Sequence, residues 1–238
     1  MSKIKKIVHH PEGQLFNQHT IIHIMYDRTR IKICGLRTER DIESAIGSGV
    51  DAVGFVFVKS SPRYITPERA ADLVCMLPPF IDAIGLFVDQ SPSEVADIAN
   101  NAFIEIIQLQ GHETKAEVEE LQSDFAIIRA VPFGSATFQQ WKSSPLIDLL
   151  LVDGSSGGQG TTFCWEALTQ ESPAITAPLI IAGGLTAQNV GEAIRTVHPF
   201  AVDISSGVES DRGKKDPELI RNFCHAVRKA DMKDLSDH

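Results

Sequence analysis

No apolar run in this chain is long enough to cross a bilayer. Basic residues open the chain between Met1 and Lys6, but no sustained apolar core follows them, so this is not the pattern of a secretory signal. The expected location is cytoplasmic. Cysteine is sparse and scattered. Cys34, Cys75, Cys164 and Cys224 form no C-x-x-C pair, and without an export signal they read as free thiols rather than a disulfide frame. Positive charge is also short, with 22 Lys and Arg against 31 Asp and Glu. Residues 1–30 carry a net +3, which leaves −12 on the rest of a chain whose total is −9. An acidic body argues against general nucleic-acid binding. A small anion could still bind through local donors. The expected partner is thus a small molecule, with no nucleic acid and no membrane.

What the chain does have is regular alternation. It has 238 residues, 43% hydrophobic and 22% charged, the make-up of an ordinary globular protein. Short apolar runs recur at Ile31–Cys34, Ala52–Phe57, Ala83–Val88, Ile104–Leu109, Ala126–Ala130, Ile147–Val152, Pro178–Ala182 and Phe200–Ile204. Continuous runs of this kind suit strands covered on both faces. Helix signals lie between them. Ser91-Pro92-Ser93-Glu94 offers an N-cap, a first-turn proline and a capping-box carboxylate. Thr66-Pro67-Glu68 and Asp216-Pro217-Glu218 open helices in the same way, and Thr186 to Val197 reads as another.

Eight strand–helix units of about 25 residues predict an α/β fold, a single (β/α)8 TIM barrel with a short N-terminal extension. The division is an extension over 1–30, a catalytic barrel over 31–230 and a tail over 231–238. The structural rival is a doubly wound open sheet. Its nucleotide fingerprint should come near the start, where this chain has Cys34-Gly35-Leu36-Arg37 instead.

A barrel places catalytic groups at the C-terminal ends of its strands and phosphate after strands 7 and 8. Ala182-Gly183-Gly184-Leu185 and Ile204-Ser205-Ser206-Gly207-Val208 fall at those two positions. Turns with little or no side chain let backbone N–H groups approach an anion. Histidine is absent from the strand ends, and four of the eight histidines precede residue 31. They have no ligand spacing, so no metal is expected. Proton transfer then falls to Cys, Asp or Glu. Cys34 closes strand 1 as a possible base or nucleophile, and Asp153 closes strand 6 as a possible proton donor. Arg63 follows strand 2 and suits an organic carboxylate, and Ser155–Gly160 could fold over a phosphate. Each also has a structural reading: a buried small hydrophobe, a turn former, a solvated cation and a linker.

Taken together these stretches resemble the phosphoribosylanthranilate isomerases, barrel enzymes of tryptophan biosynthesis. The likeness is carried by Lys32-Ile33-Cys34-Gly35-Leu36, Asp51–Phe57, Ser61-Pro62-Arg63-Tyr64-Ile65, Gln108-Leu109, Gly157-Gly158, Ala182–Leu185, Asn189-Val190, Val202–Glu209 and Gly213–Asp216. It implies an Amadori rearrangement of N-(5-phosphoribosyl)anthranilate to 1-(2-carboxyphenylamino)-1-deoxyribulose 5-phosphate, with no cofactor. By similarity, Asp153 is the acid that protonates the ring oxygen, and Cys34 is the base that removes the C2′ proton. Arg63 would hold the anthranilate carboxylate, with Gln110 beside the substrate. Gly157, Gly158, Gly160, Gly183, Gly184, Ser205, Ser206 and Gly207 would hold the phosphate.

The chain departs from the family pattern at Gln110, where histidine is common, and at Cys164, where aspartate is usual. Residues 1–30 have no counterpart; either translation starts at Met25 or the extension is a flexible tail. The rivals are another phosphosugar-binding barrel enzyme, such as an indole-glycerol-phosphate synthase or a histidine-pathway isomerase, and a non-catalytic phosphosugar-binding barrel. A monomer or a homodimer is expected.

Overall fold

The computed structural model describes residues 28–154 and 164–234. Within these bounds eight parallel strands pair in chain order and close on themselves, with the eighth returning to the first. They are β1 (Arg30–Cys34), β2 (Ala52–Val56), β3 (Asp82–Phe87), β4 (Ile106–Leu109), β5 (Ala126–Pro132), β6 (Leu149–Asp153), β7 (Leu179–Ala182) and β8 (Ala201–Ile204). Their ends lie within two residues of the expected ones. Between and after them run α1 (Glu39–Gly47), α2 (Pro67–Val74), α3 (Pro92–Asn101), α4 (Lys115–Leu121), α5 (Ala136–Trp141), α6 (Trp165–Glu171), α7 (Val190–Val197) and α8 (Pro217–Asp234). A short hairpin of β9 (Glu209–Asp211) and β10 (Lys214–Lys215), which the sequence reading leaves unassigned, precedes α8.

Strands show alternate side chains to opposite faces. One face fills the barrel with Ala52, Ile84, Ile128, Ala130, Leu151, Ile180, Ala182 and Ala201. The other packs Ile31, Ile33, Val53, Phe55, Ile107, Leu150 and Val202 into the layer shared with the helices. Phe57 and Phe87 stack there with centroids 5.2 Å apart. Each such buried large side chain contributes about 1.5–3 kcal/mol of transfer free energy. Arg129, on β5, is the large polar exception. It is 1% exposed, pairs with Glu113, donates to the Gly111 carbonyl at 2.7 Å and lies 5.2 Å from the Trp141 ring. It thereby ties down the loop after β4.

Helix starts follow the local chemistry, with two corrections. Ser91 accepts from the Glu94 N–H as an N-cap, but the expected reciprocal bond from the Glu94 carboxylate is not made. Thr38–Asp41 and Thr114–Glu117 form complete capping boxes instead. Nor does a helix begin at Thr186. There Asn189 Oδ1 accepts from the Thr186 N–H at 2.8 Å and Nδ2 donates to the Gly184 carbonyl at 2.9 Å. That side chain serves a turn, and α7 starts only at Val190. At the C-terminus α8 crosses the expected boundary at 230, and Asp231 accepts from the Thr29 backbone N–H and hydroxyl.

Cys164 occupies the N-cap of α6 and makes no side-chain cap hydrogen bond; its thiol instead donates to Glu166 Oε2 at 3.3 Å. A carboxylate at this position would accept from the open N–H groups. Cys164→Asp is therefore expected to stabilise the fold by about 1 kcal/mol, read as a raised Tm in thermal denaturation.

Candidate active site

Odd–even parity decides what reaches the C-terminal mouth. The face of β1 that carries Lys32 ends in Cys34, and the face of β8 that carries Asp203 leads into Ser205. On β4 the same face carries Gln108 and then Gln110, and β6 ends in Asp153. All of these side chains except Lys32 line a cavity of about 320 Å³, at the lower end of the ~300–1,000 Å³ range of small-molecule sites.

Cys34, Arg63, Gln110 and Asp153 all line this cavity. So do Gly183, Gly184, Ser205, Ser206 and Gly207. Gly157, Gly158 and Gly160 lie outside the described residues. His112 lies in the loop after β4 but is 96% exposed, with Nδ1 3.2 Å from Asp89 Oδ2, and is not part of the cavity wall. Among the described residues no cluster of three or more His, Cys, Asp or Glu side chains could hold a metal.

The turn after β7 has both Gly183 and Gly184 at positive φ, 83° and 63°. A Cβ on Gly183 would land on Asp153 Oδ1, so only glycine lets this turn pass beside that carboxylate. The turn after β8 abuts the same loop, because Gly207 packs against the Leu185 carbonyl oxygen. Ser205 Oγ donates to the Cys34 carbonyl at 3.0 Å and joins the ends of β8 and β1.

Cys34 is buried, and burial holds its thiol pKa above the ordinary value; Lys32 and Lys215 oppose only part of the rise, and Asp203 adds to it. Lys32 Nζ lies 2.9 Å from Asp203 Oδ1, at an angle outside hydrogen-bond geometry. Burial opposes the lysine's charge, but Asp203 and the Cys34 sulfur outweigh it and hold its pKa above the ordinary value. The thiol thus sits beside a buried cation that favours its ionised form.

Arg63 is not the lone cation its sequence context suggested. Nε donates to Glu209 Oε1 at 2.7 Å and Nη2 to Oε2 at 2.9 Å, a bidentate pair. Lys215 Nζ also reaches Glu209 Oε1, at 2.8 Å, and donates to the Ser205 carbonyl at 2.9 Å. Burial alone would raise the Glu209 pKa, but these two cations hold it at about 2. Sequence reasoning assigned no role to Lys32, Gln108, Asp203, Glu209 or Lys215. The first three carry a readable signal, since each precedes a chosen strand-end residue by two and so shares its face. Glu209 and Lys215 fall in stretches that carry the family likeness, but no local pattern marks them for a role, because the hairpin that delivers them has no apolar alternation.

A closed barrel with a thiol, a carboxyl group and a guanidinium around one cavity, and glycine turns after β7 and β8, defines an enzyme of the phosphosugar-handling barrel class. The comparisons narrow the class. The model of the family described as N-(5'phosphoribosyl)anthranilate (PRA) isomerase matches residues 31–226, and the chain belongs to that family. It is 45% identical over 208 residues to the N-(5'-phosphoribosyl)anthranilate isomerase of Dechloromonas aromatica, covering 86% of this chain and 98% of that one. A solved phosphoribosyl anthranilate isomerase in complex with reduced 1-(o-carboxyphenylamino)-1-deoxyribulose 5-phosphate superposes with a TM-score of 0.77 at 34% identity, over 84% of this chain and 99% of that one. Monomers generated from the dimeric isomerase of Thermotoga maritima superpose with a TM-score of 0.74 at 32% identity, over 84% and 98%.

A carboxylate whose folded pKa is depressed contributes stability that is complete above its unfolded value and is lost as pH falls through the folded one. Glu209 should therefore weaken the fold as pH drops from the ordinary glutamate value toward about 2. Glu209→Gln is expected to flatten that part of the curve of Tm against pH.

Proposed function

We propose that this chain catalyses the isomerisation of N-(5-phosphoribosyl)anthranilate to 1-(2-carboxyphenylamino)-1-deoxyribulose 5-phosphate, a step of tryptophan biosynthesis. The observation that carries the proposal is that Cys34 and Asp153, from β1 and β6, open into one cavity bounded by the turns after β7 and β8. An Amadori rearrangement needs an acid at the ring oxygen and a base at C2′, with the substrate anchored at each anionic end. In this reading Asp153 protonates the ring oxygen and the ring opens to a Schiff base. Cys34 then takes the C2′ proton, and the resulting enolamine tautomerises to the ketone. Lys32, beside the thiol, favours the thiolate that this step consumes.

Gly183, Gly184, Ser205, Ser206 and Gly207 receive the phosphate, with Gly157, Gly158 and Gly160 assigned to the same end by family resemblance. Arg63 takes the anthranilate carboxylate, and Gln110 contacts the substrate through its amide. No step calls for a cofactor. The catalytic unit is residues 31–230, continued by α8 into the segment set apart as a tail. A thiol base works only where thiols stay reduced, which favours the cytoplasm.

Purified protein should consume phosphoribosylanthranilate in a fluorescence assay. Cys34→Ala and Asp153→Asn should each reduce kcat by several orders of magnitude while the product phosphate ester still binds. Near-normal turnover in either variant would remove that residue from the mechanism.

For the assembly we infer a homodimer. Phe80 is 99% exposed and Phe103 is 66% exposed, and they precede β3 and β4 at the end of the barrel opposite the mouth. Two large aromatics exposed at the same end of the barrel would be covered by a second copy, and a relative of this family is described as dimeric. Sedimentation should give twice the chain mass at micromolar concentration. A monomer there would overturn the inference without touching the activity.

A further inference from the structure

The β9–β10 hairpin adds nothing to the barrel ladder, yet it is pinned from two sides. Arg37 Nη2 donates to the Gly213 carbonyl at 2.8 Å, and Gly213 packs against the Pro62 carbonyl. What this docking delivers is a three-charge cluster against Arg63. The Glu209 carboxylate accepts from Arg63 Nε and Nη2, from Lys215 Nζ and from the Gly213 N–H at 3.0 Å. Glu209 and Lys215 are almost fully buried, with 4% and 1% of their side chains exposed, while Arg63 keeps 17% and lines the cavity. The Arg63 stem is held from below as well, since a Cβ on Gly35 would come within 2.6 Å of its Cδ.

An arginine forked onto a single carboxylate forms a neutral pair, and a second carboxylate gains little by approaching it. Lys215 alters that balance. Two cations and one anion leave a net single positive charge, and the fork leaves Nη1 as the guanidinium edge without a hydrogen-bond partner among the described residues. A low-dielectric wall strengthens this field, and fixed geometry avoids the entropic cost of ordering a long side chain on binding.

We propose that Arg63, Glu209 and Lys215 act as one pre-organised monocation, in which Glu209 and Lys215 are positioning residues for the carboxylate on the substrate's aromatic amine. Glu209 sets the orientation of the guanidinium and Lys215 restores the charge that Glu209 would otherwise cancel. The proposal rests on the reading of Arg63 as the carboxylate anchor. Lys215 also donates to the Ser205 carbonyl, so the same hairpin braces the turn assigned to phosphate.

The test compares kcat/KM for N-(5-phosphoribosyl)anthranilate with that for N-(5-phosphoribosyl)aniline, which lacks the carboxylate. In the full chain, Lys215→Met should lower the preference for the carboxylated substrate about tenfold, mainly through KM. Adding Glu209→Gln returns the net charge to +1 and should restore much of that preference. Both variants keep Arg63 engaged, and Lys215→Arg should retain the preference if Lys215→Met does not fold. Equal losses on both substrates, or a double variant no better than Lys215→Met, would overturn the proposal. Arg63→Ala separates the two ideas. If it leaves the preference unchanged, the anchor reading fails; if it abolishes the preference while Lys215→Met leaves it intact, only the monocation fails.

Discussion

The parallel pairing of β8 with β1 is the constraint on which this molecule depends. Arg30 to Ile33 register against Ala201 to Ile204, and the ladder closes. Closure leaves no strand edge and gives every strand an inside and an outside. It also sets Lys32 directly against Asp203, so the ion pair beneath the mouth is a consequence of register. A slip of one residue in β1 would turn Cys34 toward the helices and bring Ile33 into the mouth.

Around the barrel the buried polar groups divide by parity. Lys32, Gln108, Asp153 and Asp203 face inward; Asp153 is the proton donor of the chemistry proposed here, and Lys32 and Asp203 act on the Cys34 thiol. Arg129 faces outward and meets Glu113, Gly111 and Trp141, which makes it a brace for the loop after β4. Burying unpaired charge is costly, and both pairs meet the requirement for a partner in different ways. One anchors a loop. The other places a cation beside a thiol that burial pushes toward its neutral form, opposing part of that push.

Much of the fold was legible because a (β/α)8 chain writes its architecture locally. Apolar runs of four to six residues mark the strands, and Thr66-Pro67, Ser91-Pro92 and Asp216-Pro217 mark helix starts. Where the reading missed, a side chain had a choice of partner. Asn189 closes the β7 turn instead of letting a helix run back to Thr186, and Glu94 does not return to its cap. Residues Cys34 and Asp153 could be singled out because strand ends in a barrel share one face. Arg63 was noticed, but its partner lies 146 positions away, and no local pattern could reveal that its guanidinium is already engaged.

By itself the sequence determined the order and kind of the barrel's strands and helices, the place of the two glycine turns, and the family to which the chain is similar. These follow from near-neighbour properties: apolar periodicity, capping chemistry and the absence of a Cβ. Tertiary structure alone decided the electrical character of the site. Whether Lys32 sits beside the thiol, and whether Arg63 is neutralised by Glu209 or returned to a net cation by Lys215, depends on contacts between residues far apart in the chain. Coulomb energies in a low-dielectric interior vary steeply with distance, and only closure of the barrel fixes those distances.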